Sequence, residues 1–115
     1  MLSIEQSKPH PGAALIRVTG RLTLGENSQQ VESMVSALIA EGCRNIIFDL
    51  SGLTQIDSTG IGRFIAGYRQ MMAAQGVLRM AAASGPVRSA FHVTRLDSVF
   101  PFFETVDEAV GAPEA

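Results

Sequence analysis

The sequence predicts a single-domain α/β fold with a mostly parallel β-sheet of about five strands and about four α-helices. The first supporting observation is size, because 115 residues with 46% hydrophobic and 17% charged residues are enough for one core. The second is order, since short apolar segments alternate along the chain with longer segments of helical periodicity. Strands that are joined through amphipathic helices need right-handed crossovers, which make neighbouring strands parallel.

The first two strands are predicted to form a hairpin at the edge of the sheet. Residues 2–6 alternate between apolar and polar side chains, and the turn residues at 9–12 cannot continue a strand. Residues 14–20 follow as a more apolar strand. Residues 21–25 are then expected to lead away from the sheet.

A first helix is predicted after this hairpin. Glu26, Asn27 and Ser28 combine a first-turn acid with good capping side chains, and Glu41-Gly42 marks the end of the helix. The apolar residues between them recur with the spacing of one buried helical face. These residues are Val31, Met34, Val35, Leu38 and Ile39.

The centre of the chain is a buried strand at residues 45–50, a short polar connection and a second helix. Asp57 or Ser58 can cap this helix, because either side-chain oxygen can accept a hydrogen bond from a first-turn N–H. The helix is predicted to reach about Gln75, with Gly76 as its stop. The predicted buried face contains Ile61, Phe64, Ile65, Tyr68, Met71 and Met72.

A strand, a helix and another strand are predicted next. The strand covers residues 77–83, and the helix starts at residues 84–86, where a first-turn proline is tolerated, and ends near Arg95. The last strand covers residues 99–103 and contains a proline, which suits an edge or an irregular position.

The end of the chain is predicted to be a short helix at residues 105–110 and a frayed tail. The sequence contains no internal repeat, low-complexity segment or linker. We therefore assign residues 1–110 to one domain and residues 111–115 to a short C-terminal tail.

Composition limits the classes of partner and site. The net charge of −2 without a basic cluster argues against nucleic acid as a partner. One cysteine and two isolated histidines provide neither a disulfide nor a set of metal ligands, which favours a cytoplasmic protein without cofactor or metal. Residues 1–11 do not resemble a signal peptide, and no apolar segment is long enough to predict a membrane span.

The sequence Asp57-Ser58-Thr59-Gly60 places two hydroxyl groups at the start of the second helix. The simplest interpretation of Ser58 is an ordinary N-cap, worth about 1 kcal/mol. A second interpretation is a phosphorylation site, since a helix N-terminus stabilises an added anion. The residues alone leave both interpretations open.

Two catalytic interpretations have less support. A nucleophilic Ser58 would need a nearby base, and neither His10 nor His92 lies in a recognisable catalytic motif. Gly60 and Gly62 have the spacing of part of a phosphate-binding loop, but the third glycine and the lysine of such loops are missing. These glycines are better explained by close approach of a partner or of a neighbouring strand.

Residues 53–62, Leu-Thr-Gln-Ile-Asp-Ser-Thr-Gly-Ile-Gly, resemble the signature of STAS domains, in particular of single-domain bacterial anti-sigma factor antagonists. The resemblance extends over nearly the whole chain and implies the STAS fold. Four further features carry the resemblance. They are a glycine after the second predicted strand, the buried central strand, a glycine before the next strand, and a glycine at the start of the helix that follows. These features are Gly20, residues 46–50, Gly76 and Gly85.

The resemblance implies that Ser58 is phosphorylated by a partner anti-sigma factor kinase and that Thr59 occupies the family's second hydroxyl position. One position differs. Many antagonists resemble Gly-Glu-Leu-Asp after the second strand, whereas residues 20–23 here are Gly-Arg-Leu-Thr. Thr23 therefore stands where the family has an acid that is implicated in kinase contact.

The function expected from this resemblance is that of an anti-sigma factor antagonist, a binding module and kinase substrate rather than an enzyme. It would hold an anti-sigma factor serine kinase while Ser58 is unphosphorylated and release it afterwards, and a phosphatase would reset it. The alternative is a STAS adaptor of a transport or stress-signalling complex whose serine is never modified. The sequence does not predict an oligomeric state. The expected partner-binding residues are Asp57, Ser58, Thr59, Gly60, Gly62, Arg63 and Thr23.

Overall fold

A computed structural model describes residues 2–25 and 28–113. Within these residues the predicted α/β class is confirmed, with four α-helices and six strands. The elements in chain order are β1 (Leu2–Ser7), β2 (Ala13–Leu22), α1 (Gln30–Ala40), β3 (Asn45–Asp49), β4 (Leu53–Ile56), α2 (Ser58–Ala73), β5 (Val77–Ala81), α3 (Gly85–Val93), β6 (Phe102–Phe103) and α4 (Val106–Gly111).

The strands form one sheet in the order β1-β2-β3-β5-β6, and β4 pairs with β2. The predicted hairpin is confirmed, because β1 and β2 are antiparallel with Leu2 opposite Gly20. All other pairs are parallel, as strands joined through helices require.

The strand β4 was not predicted, because its residues were interpreted as a polar connection. It exists because β2 is longer than expected and continues to Leu22 instead of leaving the sheet at Arg21. Gly20 has φ +99°, and the pairing register shifts between Gly20 and Arg21. This bulge allows the end of β2 to pair with β4 after its beginning has paired with β3.

The main core lies between one face of the sheet and helices α1, α2 and α3. Phe64 of α2 is at its centre, with ring centroids 5.0 Å from Phe48 and 5.9 Å from Phe91. The opposite face is packed by α4, where Ala109 contacts the smaller cluster that contains Ile47 and Ala81. The helices that carry the candidate site are therefore fixed to the larger core.

The first helix begins later than predicted. Glu26 and Asn27 lie outside the described residues, and α1 starts at Gln30. Ser28 is not its cap, because the buried Ser28 hydroxyl donates to the carbonyl oxygen of Gly25 at 3.4 Å.

The remaining boundaries differ by a few residues. The helix α2 ends at Ala73, and Met72, which was assigned to the core, is 55% exposed. Residues 99–101 precede the last strand instead of joining it, and Leu96–Ser98 forms a 3-10 turn. The helix α4 includes Gly111.

Candidate functional site

The N-cap of α2 is Asp57. Its backbone is extended, with φ −120°, and Oδ1 accepts a hydrogen bond from the N–H of Gly60 at 2.9 Å. Its second oxygen, Oδ2, accepts from the N–H of Leu24 at 2.9 Å. These two donors, the Leu24 N–H first, hold the pKa of the Asp57 carboxyl below its usual value. The carboxylate therefore joins the start of α2 to the loop after β2.

Ser58 is the first residue of α2, and its side chain is exposed. Because Asp57 already caps the helix, the interpretation of Ser58 as an ordinary N-cap is wrong. The hydroxyl lies at the positive end of the helix dipole, where added negative charge is stabilised. Thr59 follows it and is half-buried.

The two glycines of the predicted site have different environments. A Cβ on Gly60 would overlap the carbonyl oxygen of Leu22 and lie 2.8 Å from Cγ1 of Ile56. Gly60 therefore allows α2 to pack against the end of β2, which matches the predicted close approach to a neighbouring strand. Gly62 is exposed, and a Cβ there would meet nothing within 4 Å.

The loop that contains Thr23 is brought directly to Asp57. The N–H of Asp57 donates to the carbonyl oxygen of Leu22 at 3.4 Å, while the N–H of Leu24 donates to its carboxylate. Thr23 lies between these two contacts and is half-buried. Leu24 is 79% exposed, whereas Leu22 is fully buried. The fold thus places Thr23 beside Asp57, and so on the same surface as Ser58, although 34 positions of sequence separate Thr23 from Asp57.

Arg63 is turned toward α1. Its Nε donates to the hydroxyl of Ser28 at 3.2 Å, and its Nη1 forms an ion pair with Oε1 of Glu32 at 2.9 Å. The Arg63 side chain is only 24% exposed, so it is not a freely solvated arginine. Its contacts tie α2 to α1, and its contact with a partner stays a prediction.

A shallow groove that includes Ser58 lies between the start of α2 and the helix α3. The α3 side of the groove was not predicted, because residues on an exposed helix face carry no motif. Val93, at the end of α3, is 79% exposed. The groove is lined by Ile56, Asp57, Ser58, Ile61, Pro86, Ser89, Ala90, Val93 and Thr94.

Other chemistry near this surface is limited. Among residues 2–25 and 28–113, no group of three or more His, Cys, Asp or Glu side chains could hold a metal ion. His92 is exposed, and its Nδ1 lies 2.8 Å from Oδ2 of Asp97. No helix in the described part of the chain has the length and apolar character that crossing a membrane requires.

Comparisons with known proteins agree with the sequence resemblance. A family model described as the STAS domain matches residues 6–109. A protein of Bordetella bronchiseptica, BtrV, which carries the provisional name of anti-sigma factor antagonist, is 28% identical over 86 residues. That alignment covers 75% of this chain and 74% of BtrV.

Solved structures of similar proteins have the same fold. An anti-sigma factor antagonist from Mycobacterium paratuberculosis superimposes with a TM-score of 0.81 at 24% identity, covering 96% of this chain and 92% of the other. The Bacillus cell fate determinant SpoIIAA in its phosphorylated form superimposes with a TM-score of 0.75 at 23% identity, covering 94% and 96% of the two chains.

Proposed function

The chain belongs to the STAS domain family, and on this basis we propose that it is an anti-sigma factor antagonist controlled by phosphorylation of Ser58. In its unmodified form it binds a kinase-type anti-sigma factor in the cytoplasm and frees a sigma factor. That partner transfers a phosphoryl group from its ATP to Ser58, and the antagonist is released. A phosphatase restores the binding form, so the chain acts as a substrate and a switch.

The observation that carries this proposal is the division of roles between Asp57 and Ser58. Asp57 satisfies the helix terminus, and Ser58 remains exposed at the first helical position. Modification of Ser58 therefore does not alter the hydrogen bond between Asp57 and Gly60. Here the hydroxyl can accept a phosphoryl group while the cap remains intact.

The free energies involved are sufficient for a switch. A phosphate adds about −1.5 to −2 charges at neutral pH, and an exposed helix N-terminus stabilises an anion by roughly 0.3–1 kcal/mol. The modification is therefore compatible with the fold. A partner that had desolvated the neutral serine must now bury a dianion beside Asp57, which costs several kcal/mol, whereas about 1.4 kcal/mol is a tenfold change in affinity.

The relatives support the same assignment. BtrV and the Mycobacterium paratuberculosis protein carry the name of anti-sigma factor antagonists, and SpoIIAA in its phosphorylated form has this fold. We infer that the kinase approaches the surface formed by Ser58, Thr59, Gly62 and the loop at Thr23. Asp57 and Gly60 hold this surface in place, and Arg63 supports it from the side of α1.

The test uses the purified chain and each kinase-type anti-sigma factor of the same organism, singly, with ATP. We expect one of them to add a single phosphoryl group to the wild type and none to Ser58→Ala, measured by intact mass. Ser84→Ala is the matched control, because Ser84 is also an exposed serine at a helix start. It should be phosphorylated like the wild type.

Affinity measurements complete the test. Ser58→Ala should bind the kinase about as tightly as the unmodified wild type, and Ser58→Asp should bind at least tenfold more weakly. Equal affinities for all three forms, with no phosphoryl transfer, would favour the unmodified STAS adaptor instead.

A further inference from the structure

We propose that the groove between α2 and α3 is the docking site for an apolar side chain of the anti-sigma factor kinase, with Val93 as its main contact. The proposal rests on the proposed function, because it assigns part of the same partner's binding surface. It adds a region, α3, that carries none of the predicted site residues.

The groove is continuous with the surface at Ser58. Ser58 itself lines the groove, together with Asp57. A kinase that brings its active site to the exposed Ser58 hydroxyl must cover the start of α2. The adjoining groove is then covered as well, since it begins at the same residue.

The chemistry of the lining defines the occupant. Asp57 is the only charged residue of the lining, and its two oxygens accept hydrogen bonds from Gly60 and Leu24. The remaining walls are formed mainly by apolar side chains, which are Ile56, Ile61, Pro86, Ala90 and Val93. A surface that is mainly apolar apart from Asp57 favours an aliphatic or aromatic side chain.

Because Val93 is highly exposed, its burial by a partner would contribute more to the free energy of binding than burial of the other apolar side chains of the groove. Val93 is 79% exposed, whereas Ile61 is only 8% exposed. Burial of this exposed valine by an apolar partner side chain should raise the affinity roughly tenfold or more. On the side of α2 that faces α1, Arg63 and Glu32 form an ion pair, so the surface there is polar.

The position of the groove also makes apolar docking sensitive to the switch. A phosphate on Ser58 would lie at its rim, and the partner's apolar side chain would have to desolvate it. Phosphorylation would therefore weaken the groove contact as well as the contact at Ser58.

The test measures the affinity of the purified anti-sigma factor that phosphorylates Ser58 for Val93→Asp and Val93→Leu. We expect Val93→Asp to weaken binding at least tenfold and to lower the kcat/KM of Ser58 phosphorylation, and Val93→Leu to bind within threefold of the wild type. Met72→Asp is the matched control, because Met72 is an exposed apolar residue at the far end of α2. It should bind like the wild type, and thermal unfolding should show that all three variants are folded.

The outcomes separate the two proposals. If the wild type is phosphorylated and Val93→Asp binds as tightly as Met72→Asp, the groove is not a docking site, although the proposed function stands. If no anti-sigma factor phosphorylates the wild type, the proposed function fails. The docking proposal then fails with it, because it requires that kinase as the partner.

Discussion

The backbone N–H of Leu24 donates a hydrogen bond to Oδ2 of Asp57 at 2.9 Å, across 33 positions of sequence. The same carboxylate caps α2 through Gly60. One side chain therefore fixes both the helix that presents Ser58 and the loop that contains Thr23. The geometry of the candidate kinase-binding surface depends on this carboxylate.

Replacement of Asp57 should separate its two roles. Asp57→Asn retains one acceptor oxygen, so it can cap Gly60 but can no longer accept from Leu24 at the same time. We expect the amide of Leu24 to exchange faster with solvent in this variant, with little loss of stability. Asp57→Ala removes both bonds and should lower the free energy of unfolding by about 0.5–2 kcal/mol, measured in urea. Unchanged protection of Leu24 in Asp57→Asn would contradict the role given to Oδ2.

Acid should weaken the fold through Asp49. Burial raises the pKa of its carboxyl, but hydrogen bonds from the Ser51 N–H and from Arg17 outweigh burial, and the pKa is lowered on balance. A folded pKa below the unfolded value of about 3.9 gives stability that is present above pH 4 and is lost as the pH falls through the folded pKa. The free energy of unfolding should therefore decrease between pH 5 and pH 2. Asp49→Asn should show a smaller decrease over that interval, and an equal slope in both proteins would refute this assignment.

Alanine at Gly60 and at Gly62 should change stability in opposite directions. Gly60→Ala places a methyl group against the carbonyl oxygen of Leu22, and such overpacking costs about 1–3 kcal/mol. Gly62→Ala meets nothing within 4 Å, and alanine is favoured over glycine in a helix by about 1 kcal/mol. We expect the first variant to melt below the wild type and the second above it.

Kinase affinity then tests whether Gly62 belongs to the partner surface. Gly62→Ala should bind the anti-sigma factor more weakly although it is more stable, because the new methyl group occupies the space of the partner. If the more stable variant also bound as tightly as the wild type, Gly62 would not be a contact residue.

The docking of α4 should depend on Arg79. This buried guanidinium donates to the carbonyl oxygens of Ala109 at 3.3 Å and Pro113 at 2.8 Å, at the end of α4. Arg79→Met leaves these acceptors without their donor, which costs about 1–3 kcal/mol for a buried group. We expect faster hydrogen exchange of the α4 amides and a lower free energy of unfolding.

The exposed Arg88 provides the control for this change. Its guanidinium lies 4.3 Å from the centroid of the Phe102 ring, a contact worth about 0.5–1 kcal/mol at exposed sites. Arg88→Met should therefore leave α4 protected. Equal protection of α4 in both variants would show that Arg79 does not anchor the helix.

The fold was predictable where hydrophobic periodicity was strong. The helices α1 and α2 and the buried strand β3 were all identified from that signal. The strand β4 was not, because only Leu53 of its four residues is buried, and its polar residues resemble a loop. Its pairing depends on the bulge at Gly20, which a sequence pattern does not show.

The end of α2 shows a similar limit. Gly76 was predicted as a helix stop, and the residue with left-handed backbone is instead Gln75, at φ +60°. Gly76 is required for space, since a Cβ there would lie 2.6 Å from Cε of Met71 and 2.8 Å from the carbonyl oxygen of Arg44. The sequence identified the correct glycine for a different physical reason.

At the candidate site, short-range chemistry was predictable and long-range contacts were not. The sequence identified Ser58, Asp57 and the neighbouring glycines, but it left open which of the first two caps the helix. The pairing of Arg63 with Glu32 and the α3 wall with Val93 depend on how helices pack, and no local pattern specifies that.

The ten residues of β2 pair with three strands. The strand β1 lies along one edge of β2, and β3 and then β4 lie along the other. A shift of one residue in a strand turns every side chain to the opposite face. A single insertion or deletion within Ala13–Leu22 would thus disturb all three pairings together, along with the carbonyl of Leu22 on which Gly60 rests. Divergent homologues should accordingly vary in the length of their turns and conserve the length of this strand, whatever side chains they place on it.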